Sequence, residues 1–375
     1  MKYAFLTLCI MLLMPAGYSC KAGINNGGKQ KQLSKKDLIV DMALIYGGNT
    51  QRDVVWDKDH FEPYISYTDR TNQKHWLFDG FLLLDLADGK GKIFATGYHG
   101  TPAAKNEWDS LIDYFFTPER SIDAIDKGVA ARIPVLGKPP YKRKVVIGLP
   151  EPIVAGPDSY YKEVPADYWG TLDGHKLDFT KQDDRIAACK YYIDRVKKKF
   201  KERKFKNLEL AGFYWIAEES LHTKSILPAV GEYLQAAGLS FYWIPYWKDN
   251  PDYFQWKDLG FHTTYLQPNY FFNSKVPYSR LDEACKQAFE HNLDLELEFD
   301  LNVLVEKGDR SAKLYDYMKA FKQNGVLANK RIAYYQDCDA VYQLYRSSNE
   351  KDKTLFHDFC SFVIEHGATY RKEDK

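Results

Sequence analysis

The chain has 375 residues, of which 45% are hydrophobic and 27% are charged, a composition typical of a soluble globular protein. Its formal net charge is +1, so there is no electrostatic argument for a nucleic-acid partner and we expect none. The aromatic fraction of 15% is high, and aromatic rings either pack in a core or contact flat ligands such as sugar rings.

The N-terminal segment, residues 1–20, has the pattern of a lipoprotein-type signal peptide. Lys2 precedes an apolar stretch, residues 3–15, that is too short to span a bilayer. Small residues then lead to Cys20, which we expect to be lipidated after cleavage. Gly17 occupies the position where such signals usually have Leu, so simple secretory cleavage is the alternative.

A polar segment rich in Gly, Asn and Lys follows at residues 21–36 and is typical of a flexible tether. We therefore expect the protein to be secreted across the inner membrane and anchored in the periplasm or at the outer membrane. A lipid on Cys20 is the only membrane contact that we expect. The sequence leaves the oligomeric state open.

Beyond the tether, apolar segments of strand composition alternate with segments of helical spacing. The predicted strands are residues 38–48, 78–86, 144–150, 209–215, 239–247, 262–269, 293–300 and 331–336. The predicted helices are residues 106–126 with a break at Pro118, 183–203, 221–237, 251–259, 279–291, 311–323 and 353–366.

This alternation predicts one α/β domain, residues 37–370, with the (β/α)8 fold of a TIM barrel and enlarged βα loops. The longest loop, residues 152–179, is rich in Gly, Pro and aromatic residues, and loops of this length are usually functional or mobile. An open doubly wound sheet is the alternative. It is disfavoured because no GxGxxG or GxxxxGK[ST] motif follows the first strand.

The fourth predicted strand, residues 209–215, is followed by two adjacent acids, Glu218 and Glu219. A buried strand that ends in an acid and leads to a helix is how a (β/α) barrel presents a catalytic group. Side chains alternate along a strand, so only one of the two carboxylates can point at the barrel axis, and the sequence does not say which. The alternative is that both are solvated acids at the start of the next helix.

The seventh predicted strand has Asp294, Glu296, Glu298 and Asp300 on one face and apolar residues on the other. Leucines suit the side of a barrel strand that faces the helices, so we expect the four acids to point inward. Buried carboxylates are costly unless they are paired or functional, so this pattern predicts a polar mouth. An edge strand with a solvated acidic face is the alternative.

Glutamates at the ends of strands four and seven would lie across the mouth of the barrel, and glycoside hydrolysis uses two carboxylates around one sugar bond. The arrangement resembles the large glycosidase clan in which an acid/base Glu follows strand four and a nucleophilic Glu ends strand seven. The resemblance implies that Glu218 or Glu219 is the acid/base and that Glu298 is the nucleophile. Ala217 stands where the clan usually has Asn.

Four motifs resemble the family catalogued as DUF4855, whose members are mostly bacterial envelope proteins. The motifs are residues 42–48, 78–81, 212–215 together with 218–219, and 267–269. The resemblance covers nearly all of the chain after the tether. It implies a barrel and an envelope location, but it names no reaction.

Other residues at predicted strand ends suit a sugar ligand, by stacking or by hydrogen bonds to hydroxyl groups. The expected substrate-binding residues are Tyr46, Arg52, Glu151, Trp215, Tyr246, Trp247, Lys248, Gln267, Asn269, Tyr270, Glu296, Asp300 and Tyr335, with Gln336 as a further candidate. For any one of the aromatic residues, core packing is the alternative.

We therefore expect a glycosidase with a carbohydrate substrate. We expect no cofactor and no metal, since no predicted strand ends in His-x-His. A barrel that binds a glycan of the envelope or diet without cleaving it is the alternative function. The sugar, its linkage and the stereochemical course are left open.

Overall fold

A computed structural model of the chain describes residues 38–47, 54–247 and 251–372. Eight parallel strands form a closed barrel in which neighbours follow the chain order and the last strand pairs with the first. The strands are β1 Asp41–Tyr46, β2 Gly80–Leu84, β3 Arg143–Leu149, β4 Leu208–Trp215, β5 Ser240–Trp243, β6 Thr263–Leu266, β7 Asp294–Glu298 and β8 Ile332–Tyr335. The predicted TIM barrel is confirmed, and the open sheet is excluded.

Helices connect the strands and cover the outside of the barrel. They are α1 Glu62–Ile65, α2 Lys105–Phe115, α3 Ser121–Leu136, α4 Gln182–Arg203, α5 Leu227–Ala236, α6 Ser279–Glu290, α7 Ser311–Gln323, α8 Val326–Asn329, α9 Ala340–Arg346 and α10 Glu350–Tyr370. The break predicted at Pro118 separates α2 from α3. Helix α5 begins six residues later than predicted, because residues 221–226 form turns and Pro228 occupies its first turn.

Shorter elements lie in the loops. Two 3₁₀ turns cover Pro251–Gln255 and Leu301–Val303. Three small sheets pair Ser66–Thr68 with Lys74–Trp76, Lys92–Ile93 with Thr101–Pro102, and Thr171–Leu172 with His175–Lys176.

A β-bulge in β4 decides which of its side chains point into the barrel. Leu210 pairs with Val145 of β3, whereas Gly212 pairs with the next residue of β3. Ala211 is therefore an extra residue, and the alternation of inward and outward side chains changes there. Gly212 has no side chain because β5 is too close, and a Cβ would lie 2.0 Å from the Ser240 carbonyl oxygen.

The N-terminal end of the barrel is closed by contacts between β1 and α10. Asp41 accepts a hydrogen bond from the Tyr334 hydroxyl at 2.7 Å, and His366 Nδ1 of α10 lies 2.6 Å from the same carboxylate. Arg371 pairs with Asp79 beside them. These buried contacts join the beginning and the end of the described chain on the face opposite the C-terminal ends of the strands.

Within the described ranges, no helix is both long enough and apolar enough to cross a bilayer. The predicted signal peptide and tether, residues 1–36, lie outside the described residues. Export and lipid anchoring therefore stay predictions.

Candidate active site

The inward face of β7 carries three buried carboxylates, Asp294, Glu296 and Glu298. Asp294 lies at the N-terminal end of the strand and accepts a hydrogen bond from Arg331 Nε at 2.8 Å. Burial raises the pKa values of Glu296 and Glu298, and the negative charge of Glu218 raises both further. Two glutamates of β7 and one that follows β4 therefore interact at the C-terminal mouth of the barrel.

Glu298 is the best-defined carboxylate of this group and is only 2% exposed. Its Oε2 accepts hydrogen bonds from the backbone N–H of Asn269 at 2.6 Å and from the Tyr317 hydroxyl at 2.5 Å. Burial raises the pKa of Glu298 to about 7, although both donors favour the ionised form and lower it. Glu298 therefore changes its protonation state close to neutral pH.

Glu296 lies one step deeper in the barrel and is 1% exposed. Its Oε1 has no hydrogen-bond partner among the described residues. Burial, followed by the charges of Glu298 and Glu218, raises the pKa of Glu296 well above its ordinary value. Burial therefore favours the neutral form of Glu296, because an unpartnered buried carboxylate is costly.

The two adjacent acids after β4 have different environments. Glu218 is partly buried, and Gln267 Nε2 donates a hydrogen bond to its Oε1 at 3.3 Å, whereas Glu219 is exposed. After burial itself, the charge of Glu218 is the largest cause of the raised pKa of Tyr214 in the barrel interior. Glu218 is therefore the carboxylate that faces the acids of β7.

One short loop after β6 contacts two of the glutamates at the mouth, Glu218 and Glu298. The side chain of Gln267 reaches Glu218, and the backbone N–H of Asn269 reaches Glu298. Asn269 has a φ of +51°, in the left-handed region that Asn tolerates better than most residues. The loop thus fixes the carboxylate after β4 relative to the carboxylate at the end of β7.

An open cleft of about 580 Å3, here called the inner cleft, lies beside Glu218. Its lining includes Glu151 at the end of β3 and Tyr246 after β5. Glu151 Oε2 accepts hydrogen bonds from Thr96 N at 2.7 Å and Thr96 Oγ1 at 2.8 Å, and burial raises the pKa of this carboxyl. The cleft therefore combines a wall held in place by hydrogen bonds, exposed polar groups and an aromatic ring.

The family of the chain follows from its sequence. The model of the family described as a domain of unknown function, DUF4855, matches residues 41–361. This chain belongs to the DUF4855 family. The match spans the barrel from β1 into α10, so the family domain is the barrel itself. No curated protein matches the chain.

Solved structures that share the DUF4855 barrel architecture are distant. A family 18 chitinase from Crocus vernus is 11% identical, with 84% of this chain and 99% of the chitinase covered and a TM-score of 0.41. The catalytic domain of a family GH18 chitinase from the fern Peteris ryukyuensis is 12% identical, with 86% and 99% covered and a TM-score of 0.44. The tryptophan synthase α2β2 complex of Pyrococcus furiosus is 9% identical, with 87% and 99% covered and a TM-score of 0.35. At these identities and TM-scores the solved structures assign no function to the chain.

Several predicted residues of the DUF4855 barrel do line the mouth. Tyr46 and Tyr335 end β1 and β8, and their rings meet edge to face with centroids 5.7 Å apart. The Trp247 ring is covered by the Arg280 guanidinium, which lies 4.7 Å from its centroid. Arg52 and Lys248, also predicted to bind substrate, lie outside the described residues.

Two aromatic residues predicted to bind substrate do not face the mouth. Trp215 is fully buried and packs edge-on against Phe241, because the bulge in β4 turns it toward the helices. The hydroxyl of Tyr270 donates to Asp316 of α7 at 2.6 Å, and Lys313 Nζ lies 3.5 Å from the centre of its ring. Both are structural contacts of the outer layer.

Two polar residues predicted to bind substrate, Asp300 and Gln336, also lie elsewhere in the structure than expected. Asp300 does not share the inward face of β7, because the strand ends at Glu298 and Asp300 instead accepts a hydrogen bond from Asn302 N at 2.7 Å. Gln336 is fully buried, and its Nε2 donates to the backbone carbonyl oxygens of Leu44 and Cys338. Gln336 is therefore unavailable to a ligand, and Asp300 caps the turn that follows β7 instead of extending the inward face of the strand.

The structure also adds residues that sequence reasoning missed. Tyr317 lies on α7 and donates to Glu298, but a buried Tyr in a helix looks like ordinary core in a sequence. Tyr98 and His222 line the inner cleft from two loops. Across the described parts of the chain, no group of three His, Cys, Asp or Glu side chains is arranged to hold a metal ion.

Proposed function

We propose that this DUF4855 barrel is a glycosidase in which Glu218 and Glu298 act on one glycosidic bond. The observation that carries the proposal is the loop Gln267–Asn269, which hydrogen-bonds both carboxylates and sets one against the other. A pair of carboxylates on either side of one bond is what glycoside hydrolysis requires.

The environments of the two acids support different roles. Both hydrogen bonds to Glu298 end on Oε2 and favour its ionised form, which leaves Oε1 to attack the sugar or to activate a water. Glu218 is closer to solvent and donates the proton to the leaving group. The negative charge of an ionised Glu298 opposes ionisation of Glu218, because the coupling between two acids is reciprocal.

The test compares three variants on a panel of soluble polysaccharides, with release of reducing ends as the measurement. Glu218→Gln and Glu298→Gln should each lower turnover roughly 10²–10⁴-fold, the range for loss of acid–base catalysis. Glu232→Gln is the matched control, because this exposed glutamate lies on α5 and lines neither the inner cleft nor the acids of β7.

Thermal unfolding of each variant verifies that the fold is intact. If Glu298→Gln retains full activity, the assignment is wrong. If the wild-type protein binds polysaccharide and never cleaves it, the protein is a binding barrel. For an active protein, the anomeric form of the first product, read by NMR, decides between retention and inversion.

A further inference from the structure

A second cleft, the outer cleft, adjoins the inner cleft. Residues 96–98 and His222 line both clefts, so the two form one groove. The outer cleft has a volume of about 580 Å3, and its walls include Tyr160 and Tyr161 of the long loop after β3. The groove therefore extends beyond the space around Glu218.

Tyrosine rings are the main apolar surface of the outer cleft. Tyr160 is 91% exposed, Tyr98 is 36% exposed, and the rings of Tyr160 and Tyr161 meet edge to face with centroids 5.0 Å apart. An aromatic ring so exposed loses the free energy of burial unless a ligand covers it. A tyrosine ring combines a flat apolar face with a polar hydroxyl, which matches the two kinds of surface of a sugar.

The turn that presents Tyr160 is held by its own hydrogen bonds. Ser159 N donates to the Gly156 carbonyl oxygen at 2.9 Å, and Tyr161 N donates to Ser159 Oγ at 3.0 Å. Because these bonds form without a ligand, the backbone that carries the ring is already in place, and binding loses less backbone conformational entropy.

Both walls of the outer cleft are fastened near the end of β3. Arg185 Nε donates to the Pro152 carbonyl oxygen at 2.9 Å, and the Tyr168 hydroxyl donates to the Ile153 carbonyl oxygen at 3.0 Å. Glu151 fixes the opposite wall through Thr96. The tyrosines are therefore held in a fixed position relative to the carboxylates.

The charges of the groove limit the kind of glycan it accepts. Four acids line the two clefts, namely Glu151, Glu218, Glu219 and Asp158, and the described lining contains no Lys or Arg. A uronic acid or a sulfated sugar would therefore meet the like charges of the exposed Glu219 and Asp158, and the described lining offers it no Lys or Arg. Uncharged sugars avoid this repulsion.

We propose that Tyr98, Tyr160 and Tyr161 form a subsite for sugar units of an uncharged polysaccharide, in the part of the groove next to the bond that is cleaved. The inference rests on the proposed function and extends it: the substrate is a neutral polymer that lies along the groove.

The test measures binding in the Glu298→Gln background, so that turnover does not consume the polymer. The probes are a mixed-linkage β-glucan, an arabinoxylan and a galactomannan, with polygalacturonate as the acidic comparison, in affinity electrophoresis. At least one neutral polymer should retain the protein, and Tyr160→Ala with Tyr161→Ala should weaken that binding about tenfold or more. Tyr345→Ala is the matched control, because this tyrosine is 40% exposed on α9 outside the groove.

The subsite is wrong if none of the neutral polymers retains the protein, or if polygalacturonate retains it more tightly than they do. It is also wrong if the double variant is retained as strongly as the protein with both tyrosines. Failure of the catalytic proposal gives a different result. In that case the tyrosine variants lose binding, but the wild-type protein never cleaves the bound polymer. If the wild-type protein cleaves it and the double variant has an unchanged KM, the subsite is wrong and the catalytic pair stands.

Discussion

At the scale of single residues, the protonation of Glu298 is set by opposing effects. Burial favours the neutral carboxyl, and hydrogen bonds from Tyr317 and Asn269 favour the carboxylate. Burial is the larger effect, so the pKa is raised to about 7. In the proposed mechanism Glu298 acts in its ionised form, so kcat/KM should rise with pH through this value.

The hydroxyl of Tyr317 gives a direct test of this balance. In Tyr317→Phe the carboxylate loses one donor, so we expect the pKa of Glu298 to rise and the acidic limb of kcat/KM to move to higher pH by about one unit. The measurement is the pH profile of kcat/KM on a cleaved polysaccharide.

Tyr315→Phe is the matched control for that experiment. Its hydroxyl lies two residues away on α7 and donates to Asp358 at 2.8 Å instead. A profile that moves to lower pH in Tyr317→Phe, or an equal movement in Tyr315→Phe, contradicts the role given to Tyr317.

Part of the site follows from residue patterns alone. The alternation of acids and leucines in 293–300 indicates which side chains of β7 point inward, because a strand has a period of two. The rule does not place Trp215, since the extra residue in β4 changes the alternation and leaves no clear mark in the sequence. It also cannot separate Glu218 from Glu219, because both lie beyond the strand, where the period no longer applies.

At the scale of elements, the loop Gln267–Asn269 matters most. Its Asn269 adopts a left-handed backbone conformation while its N–H binds Glu298. Asn269→Val should lower the free energy of unfolding by about 1–2 kcal/mol, because a branched residue is strained there. Loss or lengthening of the hydrogen bond from the residue 269 N–H to Glu298 should also raise the pKa of Glu298.

Asn269→Gly separates backbone geometry from side-chain chemistry. Glycine adopts positive φ without a steric penalty, so this variant should keep the hydrogen bond and the pH profile of the wild-type protein. Chemical denaturation and the pH profile are the two measurements. Equal effects of the two substitutions would show that the Asn side chain, and not the loop conformation, is what matters.

The sequence predicts regular elements better than their ends. The strands were recognisable because fully buried parallel strands are continuous apolar runs. The observed strands are mostly shorter than predicted, as with Ser240–Trp243 inside the predicted 239–247, because apolar residues continue past the last ladder hydrogen bond. The four-residue helices α1 and α8 carry too few residues to show a helical period.

At the scale of the whole molecule, the buried acid makes stability depend on pH. An ordinary Glu has a pKa of 4.5, whereas the pKa of Glu298 in the folded protein is about 7. Between these two pH values the folded state holds a proton that the unfolded chain has released. The stability from this group is present below pH 4.5 and is lost as pH rises to about 7, by up to about 3 kcal/mol.

Glu298→Gln should remove this dependence, because the amide does not titrate. We expect the variant to be more stable than the wild-type protein at pH 8 and similar to it at pH 4.5, measured by chemical denaturation at both pH values. Glu219→Gln, on the exposed neighbour, should leave the difference between the two pH values unchanged. The raised pKa is contradicted if the free energy of unfolding of the wild-type protein, measured relative to that of Glu298→Gln, increases from pH 4.5 to pH 8.

The contacts between β1 and α10 also place both ends of the described chain at one pole of the barrel. The Arg371 guanidinium donates to the Leu38 carbonyl oxygen at 3.3 Å, so the first and last described segments leave the barrel side by side. They do so at the N-terminal ends of the strands, and the groove opens at the other pole. A partner domain, an affinity resin or a biosensor surface joined directly at residue 38 or residue 372 would therefore leave the groove directed toward the medium.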